Sequence, residues 1–220
     1  AHIVTAASPN LRNLNGALSK AQVAAANHTV SSLAAAEAVL SRQQKEAGTL
    51  VIDMGAGTTN LIVIEDGEVQ HVAVLPVGGI NITNDLAIGL KTDLDIAEAV
   101  KLQHASLKSE TKSTASVKVG PLTHTFDYEM ISMITEARVE ELLEYVAKEL
   151  HKIKRAGKLP GGVVIVGGSA LLPGLADFVR EKLQLPARIG KLHDVGGLVD
   201  TVEDTSWCTP VGLMLLDMLL

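Results

Sequence analysis

The chain has 220 residues, 47% of them hydrophobic, and a formal net charge of −6, enough apolar material for a buried core in one or two domains. The acidic balance argues against a nucleic-acid binder, which needs a basic face, and the single cysteine, Cys208, excludes a disulfide framework and fits a reducing compartment. Seven histidines with no i, i+4 pair make a zinc site unexpected, and without a signal peptide or a run of about 18 apolar residues the expectation is a soluble, cytosolic protein.

Residues 2–7, HIVTAA, predict a strand, and Pro9 with Asn10 opens a helix that small and apolar residues carry to about Gln22. Nothing precedes that strand to cover it and there is no initiator Met, so the chain is expected to begin partway through a domain. Residues 31–47, SSLAAAEAVLSRQQKEA, predict one helix, capped by Ser31 or Ser32 and stopped by Gly48. The stretch LVIDMGAGTTNLIVI, residues 50–64, then reads as a buried strand, a glycine turn and a second strand. Gly55 and Gly57 let backbone N–H groups approach an anion in a concave nest, around Ala56, and Thr58 and Thr59 add hydroxyl donors. A carboxylate beside a phosphate cradle is unfavourable unless a cation lies between them, which assigns Asp53 to Mg2+ held through water. The plainer alternative is an ordinary hairpin with a Gly-rich turn.

Asp66 and Gly67 turn the chain into a third strand over 68–75, completing an antiparallel meander. Gly78 and Gly79 open a helix with Asn81, Thr83 and Asn84 in its first turn, an N-terminus suited to an anion. On the following helix Glu98 and Lys101 stand at i, i+3, where a surface ion pair is worth well under about 1 kcal/mol. Residues 106–126 turn polar and alternating and predict an inserted hairpin, Thr114 to Val119 and Leu122 to Phe126, followed by an amphipathic helix from Tyr128 to Ala156. A second glycine turn, VVIVGGSALLPGL at 163–175, repeats the build of the first: a buried strand, Gly167 and Gly168 against which a flat ligand can lie, Ser169, and Pro173 with Gly174 before a helix to Leu183. A short strand at 187–189 and a last helix from about Pro210 close the chain. Two such turns, each after a buried strand, point to one ligand gripped at both ends.

In these two turns, and in VLPVGGINITNDLA (74–87), AEAVKLQH (97–104), LPARIG (185–190) and TPVGLMLL (209–216), the sequence resembles the actin/Hsp70/sugar-kinase ATPase superfamily, and within it the FtsA family of actin-like bacterial cell-division proteins. The resemblance implies an α/β fold of the actin-like ATPase type, RNase H-like in strand order, and a C-terminal part of a longer protein. It implies the end of subdomain IC at 1–30, a connecting helix at 31–49, subdomain IIA at 50–105 and 161–220, and an inserted subdomain IIB at 106–160. It further implies ATP and Mg2+ as ligands, bound by Gly55, Ala56, Gly57, Thr58, Thr59, Gly78, Gly79, Gly167, Gly168 and Ser169, with Glu98 and Lys101 reaching ribose and adenine. Glu37 stands where the family's connecting helix orients the attacking water. Arg138 stands where relatives take part in gripping the C-terminal peptide of FtsZ, the alternative being an intrahelical pair with Glu141. Implied partners are FtsZ, further copies in actin-like filaments, and the cytoplasmic face of the inner membrane, reached through a tail beyond these residues. Two other readings share the pattern: a PilM-like cytoplasmic protein of type IV pilus assembly, and an active actin-fold ATPase, which needs Glu37 as its base.

Overall fold

The computed structural model describes residues 3–25, 27–109, 111–192 and 204–218. Five strands form one sheet, in the order β3-β2-β1-β6-β7. β1 (Thr49–Met54) pairs antiparallel with β2 (Thr59–Glu65), which pairs antiparallel with β3 (Glu68–Leu75). On its other side β1 runs parallel to β6 (Gly162–Val166), and β6 runs parallel to β7 (Ala187–Ile189). The turn between β2 and β3 places both Asp66 and Gly67 at positive φ, 55° and 73°, which suits the right-handed twist of a tight hairpin.

Side chains alternate across a strand, so the continuous apolar runs of β1 and β6 must be buried on both faces. Leu50, Ile52 and Met54 join Val163 and Ile165 in one cluster, while Val51, Val164 and Val166 join a second on the opposite face. The first cluster is covered by α4 (Gly79–Gly89), α5 (Leu94–His104), α6 (Tyr128–Lys152) and α7 (Leu175–Leu183). The second is covered by α2 (Ser31–Val39) and α8 (Cys208–Met218). Those two helices touch closely because their contact surface is made of small residues. Ala34, Ala35 and Ala36 are fully buried, and a Cβ on Gly212 would fall 1.8 Å from the carbonyl oxygen of Ala34. β4 (Thr114–Val119) and β5 (Leu122–Asp127) form a separate two-stranded sheet between α5 and α6.

Several sequence expectations shift. Of the strand expected at 2–7, residues 3–7 are exposed and outside any strand, while His2 lies outside the described residues. Among the described residues no neighbouring strand offers them hydrogen bonds, and α1 (Ser8–Lys20), which follows, buries no residue. The helix expected over 31–47 is broken. Ser41 accepts from the Gln44 amide and its own amide donates to the Gln44 side chain, a capping box that starts α3 (Arg42–Ala47) afresh. The long helix ends at Lys152 rather than Ala156, since Lys154 and Gly157 take positive φ. After the second glycine turn the chain makes a short 3-10 turn, Gly168–Leu171, and α7 begins at Leu175, directly after Pro173 and Gly174. α8 begins at Cys208, ahead of Pro210.

Candidate functional site

Both glycine turns leave the sheet at the same edge. β1 ends at Met54 and β6 at Val166, and Asp53 is the register partner of Val166. Between parallel neighbours this is the carboxyl edge, where α/β layers place ligands. The turns are joined directly: the Ser169 hydroxyl donates to the carbonyl of Gly55 at 3.2 Å. Within the first turn the Gly55 amide donates to the Thr58 carbonyl at 3.0 Å. Ala56, Gly57 and Thr58 are exposed at its tip, and among the described residues nothing but its chain neighbours stands within 4 Å of where a Cβ on Gly57 would lie. The tip is therefore open backbone that an anion can approach.

Asp53 sits behind this tip, half-buried, against the bare backbone of the second turn. A Cβ on Gly167, whose φ is 89°, would lie 2.6 Å from Asp53 Oδ1. Thr209, at the start of α8, donates to Asp53 Oδ2 at 3.3 Å, and the Gly167 amide donates to Thr205 at 3.2 Å. Burial pushes the Asp53 carboxyl above the usual carboxylate range, opposed by hydrogen bonds from Thr209 and Asn60. The same enclosure, with Asp53 and Asp204 nearby, pushes the Cys208 thiol up to about 11. Among the described residues no three His, Cys, Asp or Glu side chains gather into a metal cage. One carboxylate with water and phosphate oxygens is nevertheless a donor set that Mg2+ accepts, and a half-buried carboxylate to which, among the described residues, no cationic side chain is bonded fits that ion.

The structure separates the other glycine pair and its neighbours into different tasks. Gly78 is buried under the first turn, where a Cβ would lie 2.5 Å from the Ala56 carbonyl, and its amide donates to the Asn81 side chain at 2.9 Å. The Gly79 and Ile80 amides, the first of α4, donate to Gly55 and Ala56 at 3.0 and 2.8 Å. The expected anion site at the α4 N-terminus is thus spent on holding the glycine turn. Thr59 differs from Thr58. It is fully buried, and its hydroxyl donates to Val77 at 2.8 Å instead of facing the tip. Thr58 lies in the turn and is exposed, whereas Thr59 is the first residue of β2 and its side chain is turned into the core.

Lys101 and Glu98 meet at 2.7 Å, as spaced on α5, and they do so over α4. Lys101 Nζ donates to Gly79 O at 3.2 Å and to Thr83 Oγ1 at 2.9 Å, and Thr83 donates to Glu98. Burial of Glu98 opposes ionisation, yet the hydrogen bonds from Lys101 and Thr83 hold its carboxyl below the usual range. Next to this network a cavity of about 250 Å³ opens between α4, α5 and the second turn, lined by Gly79, Lys101, Gln103, Gly168, Ser169 and the apolar run from Leu171 to Pro173. A lining that mixes polar groups with apolar side chains suits a flat heterocycle carrying a polar tail.

Glu37 and Arg138 lie elsewhere. Glu37 accepts from Lys45 of α3 at 2.7 Å. α3 packs by the β2–β3 turn, whose Asp66 and Gly67 amides bond to Glu46 and Lys45 carbonyls, at the end of the sheet opposite the glycine turns. Arg138 on α6 donates to Asp85 of α4 and to Glu141, each at 2.5 Å. The pair with Glu141 was legible from i, i+3 spacing; the Asp85 partner was not. Also missed were Thr205 and Thr209 around Asp53, and Gln103 with Leu171 and Leu172 at the cavity. The only local signal was their position next to recognised turns.

A family model described as "Cell division protein FtsA" matches residues 50–212. The chain is 32% identical over 219 residues to the cell division protein FtsA of Neisseria meningitidis, covering 97% of this chain and 53% of that protein. It is 35% identical over 217 residues to that of Bacillus subtilis, covering 96% and 48%. The chain therefore spans about half the length of the curated relatives it matches. Among solved structures it is similar in fold to MreB5 of Spiroplasma citri bound to ADP, with a TM-score of 0.79 at 18% identity over 97% of this chain and 66% of that one. It is also similar to a PilM-PilN type IV pilus biogenesis complex, with a TM-score of 0.71 at 19% identity over 94% and 57%.

Proposed function

Because the chain belongs to the FtsA family of cell division proteins, we propose that it supplies one half of an ATP·Mg site in an actin-like scaffold that links FtsZ polymers to the membrane at the division site. The observation that carries this is the joining of two glycine turns at one sheet edge, Ser169 to Gly55, with an open backbone tip on one side and a mixed polar and apolar cavity on the other. In this reading Gly55, Ala56, Gly57 and Thr58 receive phosphates and Asp53 holds Mg2+ through water. Gly79, Lys101, Gly168 and Ser169 border the nucleoside, and Glu98 positions Lys101. Bound Mg2+ would neutralise charge between Asp53 and the phosphates. Gly78 and Thr59 act beneath the site, by letting α4 and β3 close on the turn. Glu37 is left out of the chemistry, since its carboxylate is held by Lys45 away from the tip. The function assigned is accordingly a nucleotide-bound scaffold with at most slow hydrolysis.

Arg138 is assigned to the FtsZ C-terminal peptide. Its guanidinium can hold carboxylates and carbonyls in a planar fork, beside the exposed side chain of Ile88. Self-association into filaments and residence at the cytoplasmic face of the inner membrane follow from the family reading. Among the described residues no helix is long and apolar enough to cross a membrane. Membership of the FtsA family leaves the pilus-assembly reading without support.

Calorimetry tests the nucleotide assignment. Full-length protein should bind ATP·Mg at least about tenfold more tightly than this chain alone, a difference of about 1.4 kcal/mol or more, because an actin-like site closes on its ligand from both halves. Equal affinities would sink the two-half site.

A further inference from the structure

Arg138 lies in a groove of about 310 Å³ between α4 and α6, with Ile88, Ile134 and Ala137 providing apolar wall. Its guanidinium is already occupied by two carboxylates of different kinds. Glu141 is its i, i+3 neighbour, and the Tyr145 hydroxyl donates to the other Glu141 oxygen at 3.1 Å. That acid belongs to α6 and moves with Arg138. Asp85 comes from α4, 53 residues away in sequence, and meets Nε of Arg138 at 2.5 Å. Asp85 lines the same groove, so it competes for the guanidinium with a carboxylate that enters there. Both side chains keep about a quarter of their surface exposed, 24% for Arg138 and 28% for Asp85, so exchange of one acid for another requires no opening of the core.

We propose that the Asp85–Arg138 pair is an autoinhibitory contact, in which Asp85 fills the acid subsite of the α4–α6 groove and must be displaced by a carboxylate of the partner peptide. The inference rests on the assignment of Arg138 to that peptide. Affinity for the peptide is then reduced by the fraction of molecules in which Asp85 occupies the guanidinium. Asp85 also rides on the helix whose first amides hold Gly55 and Ala56. The same helix therefore borders both the groove and the proposed phosphate turn.

The test is a titration of labelled FtsZ C-terminal peptide into the full-length protein and its Asp85→Asn, Asp85→Ala and Arg138→Glu variants, with thermal unfolding of each to confirm folding. Removing the internal acid should tighten binding about three- to tenfold in both Asp85 variants, while Arg138→Glu should weaken it at least about tenfold. If Arg138→Glu weakens binding but the Asp85 variants bind equally or less tightly, the autoinhibitory contact is overturned and Asp85 instead positions Arg138. If none of the variants changes affinity, the peptide assignment itself falls, and the proposal with it.

Discussion

Asp53 is taken partly out of water at the end of β1, and burial pushes its carboxyl above the ordinary range despite hydrogen bonds from Thr209 and Asn60. A carboxyl with a raised folded-state value binds its proton more tightly in the folded chain than in the unfolded one. Its contribution to stability is therefore most favourable below the unfolded value and is lost as pH rises toward the folded value, so at neutral pH the ionised form works against folding unless a cation lies beside it. Asp53→Asn should then unfold at a higher temperature than wild type at pH 7 in EDTA, and should lose the added stability that ATP·Mg gives the full-length protein. A variant no more stable in EDTA would mean that Thr209 and Asn60 compensate fully for the burial. Thr59 shows the opposite case, a hydroxyl in the glycine motif whose work is internal. Its bond to Val77 ties the start of β2 to the segment before α4, and leaving that carbonyl unpaired costs about 1–3 kcal/mol.

Elements meet here where side chains are smallest. α2 and α8 approach until Gly212 lies against the backbone of Ala34, with a Cβ position 1.8 Å from its carbonyl oxygen. Backbone cannot give way as a side-chain tip can, so Gly212→Ala should destabilise the chain by about 1–3 kcal/mol, read as a lower midpoint in urea unfolding with an unchanged slope. No loss would show that the two helices slide apart at little cost. α4 illustrates the same economy at the site. Gly78 admits the Ala56 carbonyl beneath the helix start, and Gly89 at the other end receives Ile134 of α6, 2.4 Å from its Cβ position. A short helix is fixed at both ends by residues without side chains, one end on the phosphate turn and the other by the Arg138 groove.

At the scale of the whole molecule, the β4–β5 hairpin and α6 fall between β3 and β6 in sequence and share the core of the sheet. Ala115, Val117, Ile131, Val139 and Leu143 belong to the same buried cluster as Leu50, Ile52 and Ile165 of the sheet. The chain should unfold in one cooperative step. The aromatic residues allow this to be checked: the single tryptophan, Trp207, reports on the entry to α8, and both tyrosines, Tyr128 and Tyr145, lie on α6. Tryptophan fluorescence and near-ultraviolet tyrosine signals should give coincident urea transitions. Two separated midpoints would mean that the β4–β5 hairpin and α6 fold as an independent unit.

The apolar runs over 50–64 and 163–166 determined the central strands by themselves, because short β-branched runs bounded by glycines have few alternatives. The glycines in and just after those runs, Gly55, Gly57, Gly167 and Gly168, marked the two turns by residue type alone. The Glu98–Lys101 and Arg138–Glu141 pairs were equally legible, since helical spacing alone puts those side chains side by side. What local sequence could not decide was which polar groups were already spoken for. The α4 amides face Gly55 and Ala56, Thr59 faces Val77, Glu37 faces Lys45 and Arg138 faces Asp85. Each of those partners lies at least eight residues away in sequence, in another element or turn. Residue type states which hydrogen bonds a group can make, but only the packing of elements against one another states which are left for a ligand.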